Sequence, residues 1–103
     1  MSDYSADIAK YTASVDAKAV ESIVKYCGIA LRNRDSSLVS SSDPDELARV
    51  RDGFAAKKLG LDAAAADAGI KRVVQRMKGD NSKERVTFYY LLAEETGTMA
   101  KLA

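Results

Sequence analysis

The sequence predicts an all-α fold: a compact, single-domain bundle of about five helices, spanning residues 1–103, with the last helix at its centre. Apolar residues recur at offsets of three, four and seven in successive segments, which is the spacing of one helical face. Residues that cap helices precede these segments, and glycines that end helices follow them. A chain of 103 residues is long enough for one core and too short for two ordinary domains.

Two helices are predicted before Gly28. Ser2 or Asp3 caps a short helix that runs to about Tyr11. In SVDAKAVESIVKYCG, Asp16 is the predicted N-cap of the second helix. Its apolar row comprises Val20, Ile23, Val24 and Cys27. Gly28 either ends this helix or lies within a longer one, and we favour a break followed by a helical turn near residues 29–34.

The third helix has the clearest start signal in the chain. In DPDELARVRDGFAAKKLG, Asp43 is the predicted cap and Pro44 occupies the first helical position, where its missing N–H group costs nothing. Glu46 follows Asp43 at the spacing of a capping box. The helix is expected to end at Gly60, because glycine readily adopts the left-handed conformation of a C-cap.

The fourth helix, DAAAADAGIKRVVQRMKG, is predicted to run from its cap Asp62 to Gly79. One face is apolar and the opposite face is basic, which is a standard amphipathic division. The apolar face comprises Ala66, Ile70, Val73, Val74 and Met77, and the basic face comprises Lys71, Arg72, Gln75 and Lys78.

The last segment, NSKERVTFYYLLAEETG, is the one place where strand and helix compete. Residues 86–90 are all β-branched or aromatic, which favours a strand. Asn81 and Glu84 have the spacing of a capping box, and Gly97 lies where a C-cap is expected. We therefore predict a helix, and because apolar residues surround much of it, we expect it to be the most buried element.

The composition argues against most catalytic chemistry. The chain has no histidine and one cysteine, Cys27, so it lacks the commonest general base and cannot assemble a zinc site. Ser22 and Lys25 are the only serine and lysine with the spacing of a Ser–Lys pair, which is weak evidence. We expect no catalytic, metal-binding or cofactor-binding residues, and an enzyme that uses carboxylates or lysine is the less favoured interpretation.

Five basic residues form a candidate surface for nucleic acid. They are Lys57, Lys58, Lys71, Arg72 and Arg76. The segment that contains them has the outline of a helix-turn-helix, but the start of its second helix, DAAAADAG, carries no side chain that donates to base edges. Non-specific nucleic-acid binding is therefore the alternative interpretation. The acidic pair Glu94 and Glu95, near the end of the last helix, is a candidate partner for a basic surface.

Two arginines in the segment RNRDSSLVSSSD are candidates for contact with an anion or a partner. The guanidinium groups of Arg32 and Arg34 are suited to a phosphate or a carboxylate. The simpler interpretation is that they pair with nearby acids of this chain. Those acids are Asp35, Asp43, Asp45 and Glu46.

Charge is distributed unevenly along the chain. Residues 1–46 carry five basic and eight acidic side chains, a net charge of −3, whereas residues 57–85 carry eight and four, a net charge of +4. Such asymmetry can guide association. The leading interpretation is a small, non-enzymatic interaction module that binds an unidentified protein or a second copy of itself. The unpaired cysteine favours the cytoplasm, and the longest strongly apolar run, FYYLLA, is too short to cross a membrane.

Two segments carry a resemblance to a known family. GIALRNRDSSLVSSSDPDELARVRDGFAAKKLGL and RVTFYYLLAEETG resemble a family of small bacterial proteins, about one hundred residues long, that is classed only as a domain of unknown function. The resemblance covers nearly the whole chain. It implies a compact, all-helical cytoplasmic protein, and it assigns no activity, ligand or site residue.

Overall fold

The structure, a computed structural model, describes residues 4–32, 37–79 and 83–102. This part of the chain contains five α-helices: α1 (Tyr4–Ile8), α2 (Ala17–Cys27), α3 (Pro44–Val50), α4 (Ala63–Arg76) and α5 (Arg85–Thr96). Helix α3 continues as a π-helix, Arg51–Lys58, which we call the π segment. Short 3₁₀ helices, Gly28–Arg32 and Met99–Leu102, follow α2 and α5. No β-strand occurs among the described residues, so the all-α prediction is confirmed.

Helix α5 lies at the centre of the molecule, as predicted. Every residue from 86 to 93 is buried, including the polar Thr87. The helix packs against α1, α2 and α4. The prediction of a helix rather than a strand is confirmed. Burial on all sides explains why the composition of this segment is apolar and aromatic. The radius of gyration, 12.2 Å, is close to the roughly 13 Å expected of a compact chain of this length.

The first helix ends earlier than the sequence predicts, and the second ends where it is predicted to end. Helix α1 stops at Ile8 instead of Tyr11 and continues as turns, and its predicted caps at residues 2 and 3 lie outside the described residues. Asp16 caps α2, since its carboxylate accepts hydrogen bonds from the backbone N–H groups of Lys18 and Ala19. Gly28 has a φ of 48° and ends α2, so the predicted break is confirmed.

Helix α3 begins as predicted but does not form the expected capping box. The Asp43 carboxylate accepts from the backbone N–H of Asp45 at 3.0 Å, and Pro44 is the first helical residue. The Glu46 side chain does not return to the backbone of Asp43, whose N–H donates to the carbonyl of Ser40. The helix then widens into the π segment, which the apolar spacing did not reveal and which ends two residues before Gly60.

The last two helices differ from prediction at one end each. Asp62 caps α4 through a 2.7 Å hydrogen bond from the Ala65 N–H, but the helix ends at Arg76, three residues before Gly79. Helix α5 begins at Arg85 with Glu84 as its N-cap, so the predicted start at Asn81, which lies outside the described residues, is wrong. The reason is a long-range contact: Glu84 forms an isolated antiparallel bridge with Leu38.

Candidate functional site

A polar cluster joins the start of α5 to α3. The Arg85 guanidinium donates hydrogen bonds to the Glu46 carboxylate, to the Leu38 carbonyl at 3.2 Å and to the Tyr89 hydroxyl at 2.9 Å. Glu46 also accepts a hydrogen bond from Arg49 at 3.3 Å. The side chains of Arg85 and Glu46 are only 13% and 11% exposed. The sequence pattern predicts a local capping role for Glu46, but its partner in the structure, Arg85, lies 39 residues away in the sequence.

Three aromatic rings adjoin this cluster. The Tyr89 and Phe54 rings stack with centroids 4.1 Å apart, and Tyr26 packs edge-on to Phe54 at 5.3 Å and to Tyr89 at 6.5 Å. Phe54 and Tyr89 are buried, whereas Tyr26 is 42% exposed. The rings connect α2, the π segment and α5, and edge-on or offset-stacked contacts of this kind add to the stability of buried aromatic residues.

Burial controls the acid–base properties of the cluster. It raises the pKa of the Cys27 thiol to about 11, and the nearby Arg85 charge opposes the shift. Burial likewise raises the pKa of Tyr89, again against the effect of Arg85. A thiol with a raised pKa is protonated at neutral pH and is a poor nucleophile, because the thiolate is the reactive form. The cluster therefore offers no activated nucleophile, and we assign it a structural role.

A second network connects α4 to the end of α5 and to the segment after α1. Arg76 donates to Glu94 at 2.7 Å, to Glu95 at 3.0 Å and to the Tyr11 carbonyl at 2.6 Å. From the sequence, Arg76 is predicted to belong to the basic surface, and Glu94 and Glu95 are candidate partners for a basic surface. The structure brings these groups together, so the Arg76 charge is neutralised within the fold. Every buried side-chain nitrogen or oxygen atom in the described residues has a hydrogen-bond partner.

The other four residues of the predicted basic surface are separate from this network. Lys57 and Lys58 lie at the end of the π segment, and Lys71 and Arg72 lie on α4. Three of them are exposed and Lys58 is half-buried. No carboxylate in the part of the chain that the structure describes lies within ion-pair distance of any of the four. By contrast, Arg51 pairs with Asp52 at 2.8 Å and with Asp67 at 3.7 Å.

Lys71 and Arg72 lie on the solvent-exposed side of α4. Exposed residues recur on the helix at a spacing that places them on a common face. We call this face, which comprises Ala64, Ala68, Lys71, Arg72 and Gln75, the α4 outer face. It carries two positive charges, and Asp67, which lies beside it one turn before Lys71, is 49% exposed and pairs with Arg51 at 3.7 Å. Lys78, in the turn that follows, is also exposed.

Arg32 is exposed at the end of the first 3₁₀ helix, and Arg34 lies outside the described residues. Two of the acids expected to pair with these arginines have other contacts: Asp43 caps α3, and Glu46 binds Arg85 and Arg49. Asp45 is exposed, and Asp35 lies outside the described residues. Among the described carboxylates, none lies within ion-pair distance of Arg32. Contact of Arg32 and Arg34 with an anion or a partner stays a prediction.

A shallow surface depression of about 250 Å³ lies between α2 and the C-terminal 3₁₀ helix. It is lined by Lys18, Glu21, Ser22, Lys25 and Leu102. The Lys25 ammonium pairs with Glu21 at 3.3 Å, and its side chain is 76% exposed. A lysine that acts as a general base needs a desolvated environment, so Ser22 and Lys25 lack the setting that a Ser–Lys nucleophile requires. Within the described residues, no group of three or more Cys, Asp or Glu side chains is arranged to hold a metal ion.

Comparison with models of known protein families identifies the family of this chain. A family model described as "Protein of unknown function (DUF2853)" matches residues 3–100 of the 103-residue chain. A search of curated proteins found no match. None of the helices in residues 4–32, 37–79 and 83–102 combines the length and the apolarity that a membrane span requires.

Proposed function

We propose that this chain, which belongs to the DUF2853 family of proteins of unknown function, is a non-enzymatic interaction module that binds an acidic partner protein through the α4 outer face. The carrying observation is the segregation of charge. Arg76 and Arg85 are neutralised inside the fold by carboxylates, whereas Lys71 and Arg72 have no carboxylate within ion-pair distance in the described residues. Positive charge that the fold leaves uncompensated favours a partner of opposite charge.

The shape of the face supports a protein partner. Toward the start of α4 the exposed side chains are alanines, which are small enough to let another surface approach the helix closely. Arg72 is well suited to an interface, because its planar guanidinium can bind a carboxylate through two parallel hydrogen bonds. An acidic segment that contacts Ala64 and Ala68 would place its carboxylates against Lys71 and Arg72.

The partner that fits best is a different protein rather than a second copy. The sequence suggested that the acidic residues 1–46 attract the basic residues 57–85 of another molecule. In the structure, however, the fold already uses most of the described acids in residues 1–46. Asp16 and Asp43 cap helices, Glu46 is buried against Arg85, and Asp7 binds Thr87 and Lys10. Residues 1–46 of a second copy therefore offer the α4 outer face fewer uncommitted carboxylates than their net charge of −3 suggests.

A non-enzymatic role is supported by how the reactive groups are used. The Cys27 thiol is protonated at neutral pH because burial raises its pKa to about 11. Lys25, the partner in the only candidate Ser–Lys pair, is exposed and bound to Glu21. We place the protein in the cytoplasm, since its one cysteine has no partner for a disulfide within the chain, and we retain the bacterial origin that the resemblance implies.

Site-specific photo-crosslinking in living cells of the source organism tests the proposal. A benzophenone side chain at Gln75, which is exposed on the α4 outer face, is expected to give a discrete crosslinked protein. The same group at Ala9, which is exposed after α1, is the positional control and should not capture that protein. Equal capture at both positions, or a product of twice the chain mass at Gln75, would contradict a different protein bound at this face.

Non-specific nucleic-acid binding is the second candidate, because Lys57, Lys58, Lys71 and Arg72 all lack a carboxylate partner among the described residues. It predicts a gel shift at low salt whose affinity falls steeply as salt rises, since binding releases counterions from phosphate. The same photo-crosslinking experiment separates the candidates, because a product at Gln75 that nuclease removes would favour nucleic acid. At low salt, about 50 mM, phosphate contacts bind most tightly. The absence of a gel shift with single- or double-stranded DNA or RNA under this condition would eliminate the candidate.

A further inference from the structure

We propose that the depression between α2 and the C-terminal 3₁₀ helix binds a small carboxylate that has a short apolar portion. Four of its lining residues come from one face of α2, since Lys18, Glu21, Ser22 and Lys25 follow one another at helical spacing. The fifth, Leu102, comes from the 3₁₀ helix that packs against α2. Two elements thus meet around a space of about 250 Å³.

Some polar side chains of this depression already have partners within the protein, and others do not. Lys25 and Glu21 pair at 3.3 Å. In the described residues, no carboxylate lies within ion-pair distance of Lys18, and the Ser22 hydroxyl has no hydrogen-bond partner. One ammonium group and one hydroxyl group therefore remain available as donors. They lie one helical turn apart on the same face of α2.

The charge and the lining define the class of ligand. Two ammonium groups and one carboxylate leave one net positive charge, which a monoanion would balance. Apolar atoms form part of the lining, so burial of a short hydrocarbon portion adds to binding in proportion to the apolar area removed from water. The volume is below the roughly 300–1,000 Å³ of pockets that enclose drug-sized molecules, so the ligand is small. Because the depression is open, we expect a dissociation constant in the millimolar range.

Nuclear magnetic resonance titration of the full chain with butyrate tests the site. In low-chloride buffer, the backbone amide signals of Lys18, Ser22 and Lys25 should shift and saturate together. Butyramide, which has the same shape without the charge, should bind at least about fivefold more weakly, as expected when a charge-assisted hydrogen bond is lost. Inorganic phosphate, which lacks the apolar portion, should also bind more weakly than butyrate.

We expect some substitutions in the depression to weaken butyrate binding and one to strengthen it. Lys18→Ala should weaken butyrate binding about fivefold and Ser22→Ala about threefold, whereas Lys71→Ala, on the α4 outer face, should leave it unchanged. Alanine is the best helix former, so these substitutions do not threaten α2. Glu21→Gln should strengthen binding about threefold, because it removes a competing carboxylate and frees Lys25.

Several outcomes would overturn the proposal. Shifts that do not saturate, or equal binding of butyramide, would exclude a carboxylate site. Equal binding of phosphate would show only a bare anion contact, and an equal loss in Lys71→Ala would show attraction to the overall positive charge. The test does not use the partner of the α4 outer face, so its failure is distinguishable from failure of the proposed function.

Discussion

At the scale of single residues, Gly69 sets how closely α4 and α5 approach. A Cβ atom at this position would lie 2.5 Å from the Thr96 Cγ2 atom and 2.8 Å from the Leu92 Cδ1 atom. Real Cβ atoms do not come so close to a neighbouring atom, so with a side chain here the Thr96 and Leu92 side chains or the helices that carry them must shift. The small residue is therefore required by packing, because a well-filled core tolerates extra volume poorly.

We predict that Gly69→Ala lowers the free energy of unfolding by about 1–3 kcal/mol, the usual range for overpacking. Gly53→Ala is the matched control, because its Cβ atom would meet only the Tyr26 hydroxyl, at 3.9 Å. That variant should be neutral or stabilised by up to about 1 kcal/mol, since alanine in a helix costs less conformational entropy than glycine. Urea denaturation measures both variants. An equal effect of the two substitutions would contradict the close approach at Gly69.

Cys27 gives a pH-dependent prediction at the same scale. Burial raises its pKa from 9.0 to about 11 in the folded chain, and Arg85 partly opposes this. Between these two values the unfolded chain has lost a proton that the folded chain keeps, so the free energy of unfolding falls as pH rises through this window. The contribution of the buried thiol is fully present below about pH 9.

We therefore expect the stability difference between the native chain and Cys27→Ala to shrink as pH rises from 8.5 toward 11, by about 1 kcal/mol after allowance for the partial exposure of the thiol. Tyr89 is present in both proteins, and burial, the main cause of its raised pKa, acts in both, so its titration largely cancels in the comparison. Urea denaturation at a series of pH values measures the difference. A difference that is constant with pH would show that the thiol is not desolvated in the fold.

At the scale of elements, the ion pair of Glu46 and Arg85 connects α3 to the start of the central helix α5. Both side chains are nearly buried, and Arg85 also binds the Leu38 carbonyl and the Tyr89 hydroxyl. A buried ion pair adds little net stability compared with apolar residues, but removal of one partner leaves the other buried without compensation. The two partners should therefore be strongly coupled.

We predict that Glu46→Met and Arg85→Met each lower the free energy of unfolding by about 2–4 kcal/mol, and that the double variant loses at least about 1 kcal/mol less than the sum of the two. Arg49→Met is the control, because Arg49 binds the same Glu46 but is 69% exposed, and it should cost less than about 0.5 kcal/mol. A double-mutant cycle measured by urea denaturation tests this. Additive losses would mean that the two side chains do not interact.

Local sequence signals predicted the elements well where the responsible interaction is itself local. The caps at Asp16, Asp43 and Asp62 bond to backbone groups two or three residues away, and each one marks its helix start correctly. Glu46 was assigned to a capping box because the competing partner, Arg85, is distant in sequence. The start of α5 was misplaced for the same reason, since the bridge of Glu84 with Leu38 spans the chain.

For the predicted basic surface too, the sequence predicted the local features and missed the long-range contacts. The amphipathic pattern of α4 correctly separated core residues from exposed ones, and Lys71 and Arg72 are exposed as that pattern requires. Whether a given cation is neutralised depends on tertiary contacts, and the spacing could not distinguish Arg76, which Glu94 and Glu95 bind, from its neighbours on the same helix. The π segment was also unpredictable from the apolar spacing, which led us to expect a single α-helix from Asp43 to Gly60.

At the scale of the whole molecule, the fold divides the charged groups into two sets. One set holds elements together: Arg85 with Glu46, Arg76 with Glu94 and Glu95, and the acids that cap helices. The other set is left on the surface and includes the cations of the α4 outer face. This division is why we assign the interior networks to stability and the α4 outer face to binding.

The most direct test of this account is the yield of the crosslinked protein at Gln75 when the charge of the face is reversed. The variant Lys71→Glu/Arg72→Glu is compared with Lys10→Glu/Lys101→Glu, which makes the same change in net charge at exposed sites elsewhere. We predict that the first variant reduces the yield at least about tenfold, because like charges across an interface cost several kcal/mol, and that the control retains it. Equal yields from the two variants would contradict binding through the α4 outer face.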